Sequence, residues 1–195
     1  MWFLCHIYIY LFYKVYIHFL KYSFIYMKSI KIIGKRNVDS FKPKKERKRK
    51  ILNKIAEKKE LLNGDQHKLI KKLCANEDFS GNIFVRKELE RKIKSYKTQD
   101  IKKNKLNEDK LIKLDECIDK LVLSKMKCYY CKENMLLVYE NVREPKQWTL
   151  DRIDNSIGHY TENVVISCLE CNLKRRTMND EKFKFSKQMK IIKKN

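Results

Sequence analysis

Two cysteine pairs, Cys128-Tyr-Tyr-Cys131 and Cys168-Leu-Glu-Cys171, stand 36 residues apart. Each pair has the spacing of a zinc knuckle, and two knuckles supply the four thiolates of a closed tetrahedral site. Such a site ties the two ends of the intervening segment to one point, so that residues 132–167 must fold as a unit closed at its base. With no open coordination position the metal is structural, and its binding free energy becomes folding free energy. Four reduced cysteines in an ordinary core are the competing reading, and the paired spacing argues against it. Cys5, Cys74 and Cys117 lie outside the set. An odd total with no secretory pattern argues against a disulfide framework and for a reducing, intracellular compartment. Cys117 and Cys74 read as core residues.

Inside the bracket, residues 135–139, 147–153 and 164–167 have the β-branched and aromatic character of strands. Residues 155–163, with Gly158, read as an irregular loop, and a helix follows over 169–176. Upstream the pattern is helical. Residues 51–62 end at Asn63-Gly64, Asp65 caps a second helix through Leu73, and a third covers 85–95. A helix over 108–123 has Asn107 as N-cap and Glu108 and Asp109 at its positive end. Its Leu111, Leu114, Cys117, Ile118 and Leu121 form one apolar stripe that packs on the cysteine-bracketed module. The expected fold class is α+β, a small zinc-stapled module preceded by a basic, mainly helical region. The expected divisions are 1–26, 27–105 and 106–195.

The formal net charge is +22, and it is uneven. Residues 28–127 carry 31 lysines and arginines against 15 acids, whereas residues 128–195 carry 13 against 9. A cationic body of this size attracts polyanions, and phosphates that it neutralises release counterions, so nucleic acid is the leading partner. A solvated lysine-rich surface is the plainer alternative. The densest block, 42–50, contains Lys44, Lys45, Arg47, Lys48, Arg49 and Lys50, and it reads as a phosphate-binding arm, an import signal or a linker. There is no internal repeat and no glycine-rich phosphate loop, which excludes that class of nucleotide enzyme. Nothing calls for a small-molecule cofactor, and nothing sets an oligomeric state.

Residues 1–26 hold half of the 22 aromatics, two lysines and no acid. Lys14 interrupts the apolar run after thirteen residues, short of the roughly 20 that a membrane span requires. No signal-peptide cleavage pattern is visible. Two readings remain: Met27 is the working start, or the segment anchors the chain to a membrane.

The residues between and after the knuckles carry a resemblance. Trp148-Thr-Leu-Asp151-Arg152-Ile-Asp154-Asn-Ser-Ile-Gly-His159, then Asn163 and Cys171-Asn172, are similar to the HNH endonucleases (the ββα-metal, or His-Me finger, nucleases) in the zinc-bearing form of large DNA viruses. The resemblance spans 121–183. It implies a divalent-metal-dependent hydrolase of double-stranded DNA that leaves 5′-phosphate and 3′-hydroxyl ends. It also implies that Asp151 and the Asn172 side-chain oxygen hold a catalytic Mg²⁺ or Mn²⁺, and that Asn163 fixes the loop by hydrogen bonds. Lys174, Arg175, Arg176 and Arg143 are candidates for the phosphate backbone. Taken singly, Asp151 reads better as a strand-end charge paired with Arg152 or Arg175, and Asn172 as a residue capping a knuckle; it is their shared register with the cysteines that favours the metal-binding reading.

One position departs from the family. Its best-known members have a general-base His after the metal-binding Asp, and this chain has Arg152. A guanidinium cannot take a proton from water near pH 7, but it can bind a nonbridging phosphate oxygen. His159 is the one histidine of the module, and an imidazole suits the base. A loop histidine bonded to backbone is the alternative. So is a zinc-stabilised nucleic-acid-binding module that has lost catalysis.

Overall fold

The computed structural model describes residues 31–42, 46–50 and 58–189. It separates into two units, Met1–Lys45 and Glu46–Asn195. The described part of the first holds one helix, α1 (Lys35–Phe41), entered through Gly34 at φ 95° and with no buried residue. The aromatic segment 1–26, Met27, Lys44 and Lys45 lie outside the described residues. Among the described residues no helix is long and apolar enough to cross a membrane.

The second unit runs α2 (Lys58–Asn63), α3 (Gln66–Cys74), α4 (Asn82–Lys102), α5 (Leu114–Leu123), β1 (Trp148–Arg152), a 3₁₀ turn (Thr161–Asn163), β2 (Val164–Cys168), α6 (Leu169–Arg175) and α7 (Asp180–Gln188). It is an α+β arrangement whose sheet is two antiparallel strands, with Trp148 opposite Cys168 and Arg152 opposite Val164. Asp65 starts α3 by accepting from the His67 and Lys68 amides at 2.9 and 3.3 Å, which satisfies two donors the helix leaves open.

One apolar cluster joins Leu61, Leu73, Val85 and Leu89 of the upstream helices to Cys117, Ile118 and Leu121 of α5 and to Trp148, Leu150, Val164 and Ile166 of the sheet. Each fully buried leucine in it contributes about 1.5–3 kcal/mol. The boundary expected between residues 105 and 106 therefore falls inside one core.

Three expected elements differ, each for a local reason. Segment 135–139 is not a strand, because the Gln66 side chain accepts the Leu137 and Val138 amides at 3.1 and 3.0 Å. Helix α5 begins at Leu114 rather than 108. Residues 110–112 pair instead with the loop after β1, through Ile112 N–H to His159 O at 3.1 Å and Thr161 N–H to Lys110 O at 3.4 Å. Helix α4 extends well past Ser95, to Lys102. Cys117 is buried as expected, but Cys74 is exposed, its thiol 3.7 Å from Asp119.

The described end of the basic block is pinned rather than free. Arg49 N–H donates to Glu140 O at 2.9 Å and Val142 N–H to Arg47 O at 2.8 Å. The Arg49 guanidinium is buried in an ion pair with Glu88 and stacks 4.5 Å from the Tyr139 ring. It is occupied with structure and does not present itself to phosphate. Arg47, Lys48 and Lys50 stay exposed, and Lys48 pairs with Glu140 at 3.2 Å.

Candidate active site beside a four-cysteine metal centre

The sheet has two ends, and different chemistry gathers at each. At one end Cys168 closes β2 and caps α6, its sulfur accepting the Cys171 amide at 3.4 Å. Cys128 and Cys131 come up against it from a turn in which Lys132 takes φ 62°. The four sulfurs all lie within 4.8 Å of one another, and Cys131 and Cys168 are 4.0 Å apart. A tetrahedron with Zn–S bonds of about 2.3 Å has edges of about 3.8 Å, so donor set and spacing fit a zinc ion.

The thiols fit it electrically as well. Cys128 is lowered to about 5, first by its hydrogen bond with the Cys168 thiol and then by backbone N–H donors, one of them the Cys168 amide at 3.3 Å. Cys168 is driven up by that same bond, and burial holds Cys171 up at about 12. Four thiols this close cannot all ionise unaided; a bound dication relieves the repulsion and deprotonates them.

At the other end a cavity of about 520 Å³ opens between α4, β1, the loop after β1 and the end of α6. Asp151, Arg152, His159, Asn172 and Arg176, spread over 26 residues of sequence, all line it. Lys103 and Lys105 line it too, so cations dominate its rim. A second cavity, of about 470 Å³ beside Cys128, is mostly apolar and holds none of these residues.

Strand alternation sorts the groups. Thr149 and Asp151 face α6, where Asn172 and Arg175 stand one turn apart. Asn172 donates its Nδ2 to Thr149 Oγ1 at 3.1 Å and to Leu150 O at 3.3 Å. Asp151 is 5% exposed, and both its oxygens are taken. Arg175 Nε donates to Oδ2 at 2.7 Å, Arg175 Nη2 to Oδ1 at 2.9 Å, and the Tyr130 hydroxyl to Oδ2 at 2.8 Å. Burial and the Asp151 charge push the Tyr130 phenol up, so that it stays a donor. The ion-paired reading of Asp151 is the one realised. Asp151 does not present the open oxygens that Mg²⁺ or Mn²⁺ requires, and Arg175 would first have to release the carboxylate. Arg175 is itself buried and so leaves the set of phosphate contacts expected from sequence.

Arg152 and His159 face the opposite way, toward α4. Arg152 Nη1 donates to Ile157 O at 3.2 Å and lies 4.0 Å from Asp100 Oδ1. His159 is buried with its Nδ1 2.7 Å from Asp100 Oδ1, and the Tyr96 ring is tilted against the imidazole at 4.6 Å. Burial lowers the His159 pKa below its ordinary 6.5, against the opposing pull of Asp100. The ring is therefore neutral at pH 7. Asn163 ties down the loop that delivers it, donating Nδ2 to Asp154 O and Gly158 O, both at 2.9 Å, and accepting the Asp154 amide at 2.9 Å.

Arg176 follows α6 at φ 54° and ψ −114°, a conformation that a residue with a side chain rarely adopts. Its carbonyl is held by Asn155 Nδ2 at 3.1 Å, and its side chain lines the cavity. Lys174 pairs with Glu170 on the exposed side of α6, and Arg143 is exposed away from the cavity lining.

Asp100, Tyr96, Lys103 and Lys105 escape a reading centred on the cysteines, because they come from the helix and turn before the module. A signal for two of them exists. Val85, Leu89, Lys92, Tyr96 and Asp100 recur at steps of four and three, and carrying that stripe beyond residue 95 brings Tyr96 and Asp100 onto the packed face. Comparison with protein-family models, curated proteins and solved structures finds no match to this chain.

Proposed function

We propose that this chain is an HNH-type endonuclease that hydrolyses DNA phosphodiester bonds, its metal centre serving as a structural zinc staple. The observation that carries the reading is one cavity holding a neutral imidazole among Arg152, Arg176, Lys103 and Lys105. A phosphodiester entering it meets cations that offset its charge, and an imidazole whose remaining nitrogen can take a proton. In this reading Arg152 and Arg176 hold nonbridging oxygens, and stabilisation of that kind changes rates by about 10²–10³-fold per donor. His159 Nε2 takes one proton from a water molecule as the water oxygen bonds to phosphorus. The bond from phosphorus to the 3′ oxygen breaks, and that oxygen leaves with a proton from solvent. The products are a 5′-phosphate and a 3′-hydroxyl. A positioned base supplies about 10²–10⁴-fold. A divalent ion at Asp151 would have to displace Arg175, which holds the carboxylate.

Relaxation of supercoiled plasmid by the zinc-loaded chain, with and without Mg²⁺ or Mn²⁺, tests the reading. Nicking that disappears in His159→Ala supports it. A specific observation favours the rival, a catalytically inactive zinc-stabilised nucleic-acid-binding protein: the Asp151 carboxylate is saturated by Arg175 and Tyr130. DNA binding without cleavage, on supercoiled, linear and single-stranded DNA and with every divalent ion, would establish that rival.

A further inference from the structure

We infer that Asp100, near the end of α4, is the positioning residue for the cavity imidazole, fixing which nitrogen of His159 carries the proton. The inference rests on the reading of His159 as the base, and its first test does not.

The contact is built from both sides. Asp100 is 0% exposed and spends each oxygen on the same residue. Oδ1 lies 2.7 Å from His159 Nδ1, and Oδ2 accepts the His159 backbone N–H at 2.7 Å. The His159 carbonyl is held in turn by the Ile112 amide at 3.1 Å. The approach requires the glycine that precedes the histidine. A Cβ at Gly158 would stand 2.6 Å from Lys105 O and 2.9 Å from Asp100 Oδ2, closer than side-chain carbons come to such atoms. Any other residue would push the loop off Asp100. Tyr96, one turn before Asp100 on the same face of α4, stacks on the ring and gives its hydroxyl oxygen to the Leu150 amide at 3.0 Å, so it locks the imidazole plane to β1.

A carboxylate accepts and does not donate. Nδ1 must therefore carry the proton, and Nε2 keeps its lone pair for the cavity. This is the orientation a base requires, and a carboxylate behind an imidazole secures it. The other charged or titratable groups around the ring are Tyr96 of α4, Lys103 and Lys105 after it, Arg152 of β1 and Arg176 after α6. Tyr96 is pushed up by burial and remains protonated. The cations oppose a charged imidazole. Asp100 is the one group of the set that selects between the two neutral tautomers.

Asp100→Asn is the discriminating variant because it keeps the shape. The His159 backbone N–H requires an acceptor, so the amide turns its oxygen there and its NH₂ toward Nδ1. Nδ1 then has to accept, and the proton moves to Nε2. Two-bond ¹H–¹⁵N correlation of the histidine rings in the zinc-loaded full chain reads this directly, with His159→Ala assigning the signal. Wild type is expected as the neutral Nδ1–H form and Asp100→Asn as the Nε2–H form, with unchanged zinc content. Single-turnover plasmid cleavage should fall by about 10²–10⁴-fold in the variant, the range that a positioned base contributes. Plasmid affinity should not fall, because no cation is removed and Arg152 loses a carboxylate 4.0 Å away. An Nε2–H wild type, or a variant with wild-type tautomer and rate, overturns the inference. A tautomer that reverses in a protein that never cleaves supports the orienting contact and overturns only the base.

Discussion

Replacing Arg175 with Met is the perturbation whose cost the geometry fixes most tightly. The guanidinium makes two hydrogen bonds to Asp151, one to Met178 O at 2.7 Å and one to Arg152 O. Met fills a similar length of space and removes all of them. Asp151 is then a buried carboxylate with the Tyr130 hydroxyl as its remaining donor. Breaking a buried pair by deleting one partner costs about 3–5 kcal/mol, since the other charge is left uncompensated. For a chain of this size each kcal/mol moves the midpoint by about 2–4 °C, which puts the expected fall at about 6–20 °C. Removing both charges with Asp151→Asn and Arg175→Met should restore most of that loss, because neither partner is stranded. Thermal and urea denaturation followed by circular dichroism measure this, at one fixed zinc concentration because zinc binding is itself folding free energy. A loss under about 1 kcal/mol in Arg175→Met, or a double variant no more stable than the single, would refute the view that Asp151 is held by Arg175. The carboxylate would then be open to the divalent ion that the family resemblance assigns to it.

Elemental analysis should return about one zinc per chain, and Cys131→Ser should abolish cooperative unfolding of the module because one of four ligands is lost; a folded, zinc-free protein would remove the staple from the account. Lys103→Ala, Lys105→Ala and Arg176→Ala should each weaken plasmid binding and make the slope of log affinity against log salt shallower by about 0.9, one neutralised phosphate apiece. An unchanged slope in all three would take the phosphate backbone out of the cavity. Arg49→Ala should lower stability by less than the about 3–5 kcal/mol that stranding a buried charge costs, because half-buried Glu88 keeps Arg91 at 3.0 Å. Arg47→Ala, with an exposed side chain, should be nearly neutral to stability and lower DNA affinity, and the reverse pattern would contradict the burial of Arg49.

The parts of the fold that sequence makes legible are those with short-range causes. The Asp65 cap, the stripe of Cys117, Ile118 and Leu121, and the succession of two strands and then a helix through the second knuckle each depend on residues a few positions apart. The parts that escape depend on distant partners. Segment 135–139 has strand composition, yet Gln66 satisfies two of its amides from about 70 residues away. Residues 108–113 have helix signals, yet the backbone of 110–112 pairs with residues 159–161. The site divides in the same way. The cysteines announce themselves by spacing, and Arg152 and His159 by their type within the module. Asp100 could not be found from the module at all, because what matters is its carboxylate meeting an imidazole 59 residues downstream. Asp151 is the instructive case. A carboxylate two positions after Thr149 on a strand reads as a ligand or as a structural ion pair, and the arginine three residues after Asn172 decides between them.

The single-turnover rate of plasmid nicking by wild type and His159→Ala, followed from about pH 5 to 9, tests the central claim most directly. The base works when neutral, so the wild-type rate should rise with pH and level off. Because burial lowers the His159 pKa, the midpoint of that rise should fall below 6.5. His159→Ala should lose about 10²-fold or more and show no such limb. Equal rates and equal profiles for the two proteins would contradict the assignment of His159 as the base.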